Sequence, residues 1–145
     1  GGKQSPELFR FSPPRGLVVV KRLEPDFLAI DEAKAASGIE PRVPTWLPSG
    51  YVFESLDVMP RGKRNVVHYR FSDGIDAISL FQCPPRTRIK FGGQRSRRVR
   101  LASGTGYRTQ AAEGNVLTWS TGGWKFILVG PVSDSVLARM ADFVR

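Results

Sequence analysis

Residues 68–81, HYRFSDGIDAISLF, constrain the fold of this chain more than any other segment. Two runs of alternating apolar and polar residues flank the sequence Ser72-Asp73-Gly74. An Asp-Gly pair between alternating runs is the strongest short-range signal for a β-hairpin closed by a type I′ turn. The segment therefore predicts two antiparallel strands joined by a tight turn.

A two-residue loop made of this Asp-Gly pair fixes the register of the predicted hairpin. It places Tyr69 opposite Ile78 and His68 opposite Ser79. Since a slip of one residue would move every side chain to the other face, the pairing can be tested against the apolar pattern. One face collects the apolar residues 67, 69, 71, 78 and 80. The other face is mixed, which predicts that it is only partly covered.

Composition limits the class of protein. The 145 residues, 41% hydrophobic and 24% charged, suffice for one domain with an ordinary core. The unbroken apolar runs are too short for a membrane-spanning helix. The only cysteine, Cys83, excludes an internal disulfide, and together with the only histidine, His68, it cannot provide the usual four ligands of zinc. We therefore expect no metal and no cofactor.

The segments before the hairpin predict a lead-in and one short helix. Residues 1–30 read as a lead-in tail with one candidate strand at 17–23. Asp31 is a suitable N-cap for a helix over 31–37, and Gly38 follows its end. Pro48 and Gly50 suit the second and fourth positions of a type I turn, and a strand at 51–58 then leads through a loop at 60–63 into the hairpin.

The segments after the hairpin predict a second hairpin and a final helix. Residues 104–107 read as a turn. A Gly122-Gly123 loop within residues 115–129 pairs Trp119 with Phe126 and residue 117 with residue 128. Ser133 is a good N-cap for a helix over 134–144 with an apolar stripe. Residues 31–145 thus predict a single α+β domain: an antiparallel sheet of hairpins, a short N-terminal helix, and a C-terminal helix packed on one face.

Residues 86–100, which we call the basic arm, carry seven cations and no acidic residue: Arg86, Arg88, Lys90, Arg95, Arg97, Arg98 and Arg100. The end of the arm alternates like a strand, with Val99 and Leu101 inward and the arginines outward. A solvated charged face is one interpretation. The net charge of +9 favours the other, an acidic partner: a protein segment, an anionic lipid surface or nucleic acid. The lone aromatic Phe91 is a weak case for base stacking, so nucleic acid fits less well.

His68 is a candidate general base, with Ser79 as the only nucleophile candidate on its face. A dyad across a hairpin has no evident oxyanion donor, so a structural or interface histidine is the favoured interpretation and no enzyme is expected. Together with Arg70, His68 lies on the mixed face of the hairpin. We expect both residues to join the basic arm in binding a partner.

Several motifs resemble the C-terminal domain of the MucB/RseB family, periplasmic negative regulators of the extracytoplasmic-stress sigma factor. They are WLPSGY at 46–51, HYRFSDGI at 68–75 with ISLF at 78–81, LTW at 117–119, and VGPV at 129–132 before the final helix. The similarity covers residues 44–145. Residues 31–51 are also similar to the lead-in of lipoprotein-sorting-like extracytoplasmic domains. The family's larger N-terminal domain, to which lipid sensing is attributed, is not within these 145 residues.

The resemblance implies a non-enzymatic, extracytoplasmic regulatory domain, as part of a longer anchored protein or alone. Its implied partner is an anti-sigma factor or another envelope protein, bound through a basic surface. The alternative is a nucleic-acid-binding domain that uses the basic arm.

Overall fold

The computed structural model describes residues 8–10, 34–35, 38–61, 64–90 and 95–144. Its elements are strands β1 (Leu8–Arg10), β2 (Val52–Arg61), β3 (Arg64–Ser72), β4 (Ala77–Cys83), β5 (Arg88–Lys90), β6 (Arg97–Leu101), β7 (Gly104–Ala111), β8 (Gly114–Thr121) and β9 (Trp124–Gly130), and helix α1 (Asp134–Asp142). Seven strands form an antiparallel sheet in the order β2-β3-β4-β9-β8-β7-β6, whereas β1 and β5 form a separate parallel pair. The α+β class predicted from the sequence is confirmed.

Helix α1 covers one face of the sheet, which we call the helix face. A row of directly opposed residues crosses this face from β2 to β8, and all of them are buried: Leu56, Tyr69, Leu80, Leu128 and Leu117. Leu137 and Met140 of α1 belong to the same apolar cluster. The predicted N-cap is confirmed, because the Ser133 hydroxyl accepts from the backbone N–H of Val136 at 3.3 Å.

A buried polar network holds residues 39–42 on the helix face. The Tyr69 hydroxyl donates to Gln82 Oε1 at 2.7 Å, and the backbone N–H of Arg42 donates to the same oxygen at 3.0 Å. Gln82 Nε2 donates to the carbonyl of Glu40 at 2.9 Å. Gln82 is fully buried, so these bonds replace the hydration that its amide loses on folding.

The opposite face of the sheet is only partly covered on the hairpin, as the sequence predicted, since His68, Arg70, Ser72, Ala77 and Ser79 are half-buried. The centre of this face is nevertheless buried. A second cluster of buried residues covers β3, β4, β8 and β9 on this side: Val66, Phe81, Cys83, Val116, Ile127 and Val129. Strands that carry apolar residues on both faces are typical of a sheet buried on both sides.

The predicted hairpin exists, but its register is shifted by two residues. Ser72 pairs with Ala77, and His68 pairs with Phe81 rather than with Ser79. Because the shift is even, each paired residue keeps the face that the sequence predicted for it. Tyr69 and the other residues of the apolar face are buried as expected.

The side chain of Asp73 explains the longer, four-residue loop. Asp73 Oδ1 accepts from the backbone N–H groups of Ile75 at 2.9 Å and Asp76 at 2.7 Å. A type I′ turn would need positive φ at both Asp73 and Gly74. Among the described residues only glycines have positive φ, and Gly74 has a φ of 94°. The Asp side chain therefore stabilises a wider turn in which Ile75 is 90% exposed at the tip.

Residues 104–107 begin strand β7, so the turn predicted there is wrong. The chain reverses instead at residues 102–103, where Leu101 pairs with Gly104. Gly106 lies inside β7 opposite Trp119, and a Cβ there would lie 2.7 Å from Leu101 Cδ1. Glycine is therefore needed at residue 106 for close packing rather than for a turn.

The second predicted hairpin has the expected register. Trp119 pairs with Phe126, with ring centroids 5.2 Å apart, and Leu117 pairs with Leu128. Gly122 and Gly123 have φ values of 60° and 82°, as a type I′ loop requires.

The remaining local predictions have mixed outcomes. Gly38 has a φ of 70° and donates to the carbonyl of Lys34 at 2.9 Å, which confirms it as the helix end. Only residues 34–35 of the predicted 31–37 helix are described, and the candidate strand at 17–23 lies outside the described residues.

The turn at Pro48 lies one residue later than predicted, with Gly50 in its third position at a φ of 87°. The predicted loop at 60–63 is shorter, because β2 continues to residue 61.

Candidate functional site

Strand β6 divides the basic arm between the two faces of the sheet. Arg97 pairs with Arg108, which continues the row of opposed leucines on the helix face. Arg98 pairs with Tyr107 and lies on the opposite face, where Tyr107 is 45% exposed. Arg100 alternates with Arg98 and shares its face. The arm therefore presents two separate cationic surfaces at the edge of the sheet.

The N-terminal part of the arm lies away from β6. Arg86 and Arg88 are exposed, while Lys90 ends strand β5. Thr87, which lies between Arg86 and Arg88 in the sequence, is buried, and its hydroxyl donates to the carbonyl of Pro84 at 2.7 Å. The structure thus places the predicted arm residues in distinct local environments rather than in one continuous surface.

A cleft of about 560 Å³ lies at the β6 end of the helix face. We call it the arginine cleft; its lining residues are Arg95, Arg97, Arg108, Thr109, Gln110, Asn115 and Asp134. Its volume is within the usual range for sites that bind small ligands or a few side chains. Three arginines and one carboxylate give the lining a net charge of +2.

The cleft forms because the row of apolar residues on the helix face ends in arginines. Leu117 is opposite Arg108, and Arg108 is opposite Arg97 at the sheet edge. Helix α1 begins above this edge, so Asp134 in its first turn forms an ion pair with Arg108. No described residue forms an ion pair with Arg95 or Arg97, which are both exposed.

The sequence predicted Arg95 and Arg97 but missed Arg108 and Asp134. The omission of Arg108 follows from the missed strand β7, because without that strand Arg108 has no predicted neighbour at the sheet edge. Asp134 was missed because it reaches the cleft only through the docking of α1 on the sheet. A signal was available: the loops at residues 102–103, 112–113 and 122–123 recur at intervals of ten residues. Regular spacing of this kind is typical of a meander of short strands.

The side chain of His68 makes its contacts within its own hairpin. Its Nε2 lies 2.9 Å from Ser79 Oγ, and its ring stacks on Phe81 with centroids 4.4 Å apart. Burial, and secondarily the charge of Arg70, lowers the pKa of His68 to about 4. The histidine is therefore neutral near pH 7 and adds no charge to a cationic surface.

Arg70 is also paired within the sheet. Glu54 is the extra residue of a β-bulge in β2, and its Oε2 lies 3.2 Å from Arg70 Nε. His68 and Arg70 lie on β3, which is five strands from β6, or about 24 Å at the usual strand spacing. The structure does not bring His68 and Arg70 together with the arginines of β6, and their role in partner binding stays a prediction.

The contact between His68 and Ser79 has two members of a catalytic triad, and no carboxylate of the described residues forms a hydrogen bond with His68. Asp57 is opposite His68 in the register, yet no carboxylate contributes to the pKa of the histidine. In the described part of the chain, no three His, Cys, Asp or Glu side chains are grouped to bind a metal ion. No described helix is long and apolar enough to span a membrane.

Similarity to known proteins is found among solved structures. No protein-family model matches the chain, and neither does any curated protein. Among solved structures, it is similar to a chain in the complex of Pseudomonas aeruginosa MucA and MucB, at 18% identity and a TM-score of 0.45. The match covers 72% of this chain and 34% of the other, so the chain spans about a third of that protein's length.

Proposed function

We propose that the chain is a non-enzymatic, extracytoplasmic regulatory domain that binds an acidic protein segment through its basic surface. A segment of an anti-sigma factor or of another envelope protein is the partner that the sequence resemblance implies. The observation that carries the proposal is the excess of arginines at the β6 edge, where Arg95 and Arg97 have no ion-pair partner among the described residues. Unbalanced like charges repel one another, and a partner of opposite charge relieves that repulsion.

The position of β6 supports an extended partner. It is the outermost strand of the seven-stranded sheet, and the described residues pair with it only through β7. An extended segment can add to such an edge by backbone hydrogen bonds, while its alternating side chains meet the two faces. Acidic side chains at alternate positions of that segment would face one of the two surfaces, either the one with Arg97 or the one with Arg98 and Arg100.

The test uses a fluorescein-labelled peptide of four Glu-Val repeats, with a peptide of four Lys-Val repeats as the control. We expect the anisotropy of the acidic peptide alone to rise when the protein is added at low salt. A variant in which Arg97, Arg98 and Arg100 are changed to Glu should lose this binding. Equal binding by that variant, or no binding by the unchanged protein, would contradict the proposal.

Anionic lipid is distinguished by vesicles of phosphatidylcholine with and without phosphatidylglycerol. If the protein co-sediments only with vesicles that contain phosphatidylglycerol and does not bind the acidic peptide, its partner is a membrane surface and not a protein. Binding of the peptide without co-sedimentation supports the protein partner.

Nucleic acid is the second candidate, and one observation favours it. Tyr107 is 45% exposed and lies beside Arg98 on the face of the sheet that carries Arg100. An exposed aromatic ring among arginines is the arrangement that stacks bases of single strands. We expect Tyr107→Ala to weaken binding of an oligothymidine if this candidate is correct. Oligothymidine binding that falls steeply with salt and is lost in this variant would favour nucleic acid over the acidic segment.

A further inference from the structure

We propose that the arginine cleft binds carboxylate side chains of the acidic partner segment, and that Asp134 limits the affinity by occupying Arg108. This inference rests on the proposed function and names the chemistry of its site. It assigns binding to the helix face of β6, where Arg97 lies, and not to the face with Arg98 and Arg100.

Asp134 shows which chemistry the cleft accepts. Its Oδ2 already forms an ion pair with Arg108 Nη1, so the cleft contains one bound carboxylate supplied by the protein itself. The side chains of Arg108 and Asp134 are 37% and 38% exposed, which allows an incoming acid to reach the pair. Arg95 and Arg97 remain for further carboxylates, and planar guanidinium groups suit carboxylates because they can donate two parallel hydrogen bonds.

The walls of the cleft are held in place before any ligand arrives. Asn115 Nδ2 donates to the carbonyl of Val132 at 2.7 Å, which ties β8 to the chain just before α1. The Thr109 hydroxyl donates to the carbonyl of Arg95 at 3.1 Å, which fixes the segment leading into β6. A preorganised site loses less conformational entropy on binding.

Phosphate is the other anion that arginines bind with two parallel hydrogen bonds. The ion pair with Asp134 shows directly only that the cleft accepts a carboxylate. The arginines of the cleft attract both ligands, and the experiment therefore includes both.

The experiment measures binding of the labelled Glu-Val peptide by anisotropy, with competition by citrate and by inorganic phosphate. Asp134→Asn removes the competing charge and should tighten binding about threefold to tenfold. Asp142→Asn is the matched control, because it makes the same charge change on the same helix outside the cleft lining, and it should bind like the unchanged protein. Arg108→Gln should weaken binding about fivefold or more. Citrate should compete better than phosphate.

The outcomes separate this inference from the proposed function. If the unchanged protein binds the peptide but Asp134→Asn and Arg108→Gln bind it equally well, the cleft is not the site and the inference is wrong. If Asp134→Asn and Asp142→Asn tighten peptide binding equally, the effect comes from net charge alone, and the inference is wrong. If phosphate competes better than citrate, the carboxylate assignment is wrong. If the unchanged protein does not bind the peptide at all, the proposed function fails. Far-UV circular dichroism of each variant confirms that it is folded.

Discussion

Arg97 and Arg98 are consecutive residues that lie on opposite faces of the seven-stranded sheet, Arg97 opposite Arg108 and Arg98 opposite Tyr107. This relationship shows that the basic arm does not form one continuous surface in the fold. As a sequence, the arm is a single run of cations without an acid. In the fold, its final strand provides one arginine to a cleft and two to an open face. Any partner therefore meets two chemically different surfaces, and single substitutions can tell them apart.

We expect Gly106→Ala to destabilise the protein although the residue is not in a turn. The added Cβ would lie 2.7 Å from Leu101 Cδ1 and 3.0 Å from the carbonyl oxygen of Thr118. Overpacking of this kind typically costs about 1–3 kcal/mol. Urea unfolding measures the loss, with Thr105→Ala on the neighbouring exposed position as the control, which should change stability by less than about 0.5 kcal/mol. Equal stability of the two variants would show that the strand accommodates the methyl group.

Because of its hydrogen bonds, we expect the polar residue Gln82 to contribute strongly to the stability of the protein. Gln82→Met removes hydrogen bonds to the Tyr69 hydroxyl, to the backbone N–H of Arg42 and to the carbonyl of Glu40. We expect a loss of about 2–3 kcal/mol in the free energy of unfolding, since the buried Tyr69 hydroxyl loses its acceptor, whereas the backbone N–H of Arg42 keeps a hydrogen bond to that hydroxyl.

Tyr69→Phe should cost less, about 1–2 kcal/mol, because Arg42 keeps its bond to Gln82. Gln110→Met, at an exposed glutamine, is the matched control and should be near neutral. A neutral Gln82→Met variant would mean that residues 39–42 do not depend on this network.

The buried histidine predicts a pH dependence of stability. The pKa of His68 is about 4 in the folded protein and near 6.5 in an unfolded chain. Between these values the unfolded chain binds a proton that the folded protein does not, so stability is full above about pH 6.5 and falls as the pH decreases towards 4. The loss between pH 7 and pH 5 should be about 2 kcal/mol.

Urea unfolding at the two pH values measures this loss. Because His68 is the only histidine, His68→Gln should remove most of the difference. The lowered pKa values of Glu40 and Asp73 act in the same direction, but only at lower pH, below their ordinary values. An unchanged pH dependence in His68→Gln would contradict the assignment.

The hairpin at residues 68–81 shows which features of this fold can be predicted from sequence patterns. Alternation predicted which side chains face the core, and an even register shift left those faces intact. The exact pairing could not be predicted, because it depends on whether Asp73 adopts positive φ or accepts hydrogen bonds from its own loop. The two side-chain-to-backbone bonds of Asp73 decide this only once the loop has formed.

The candidate site was predictable only in part. A run of cations is visible in the sequence, and its final alternation correctly placed Val99 and Leu101 inward. Arg108 joins the site through the pairing of β6 with β7, and Asp134 joins it through the docking of α1 on the sheet. Such long-range relationships depend on tertiary packing, which no local pattern encodes.

The most direct test of partner binding through the cleft compares Arg97→Glu with Arg98→Glu in binding the labelled peptide of Glu-Val repeats. The two variants have the same net charge and differ by one position on the same strand. We predict that Arg97→Glu weakens binding at least about tenfold, since hydrogen bonds to charged groups contribute about 1.5–3 kcal/mol. Arg98→Glu should weaken it only slightly. Equal loss in both variants, or a larger loss in Arg98→Glu, would contradict the account.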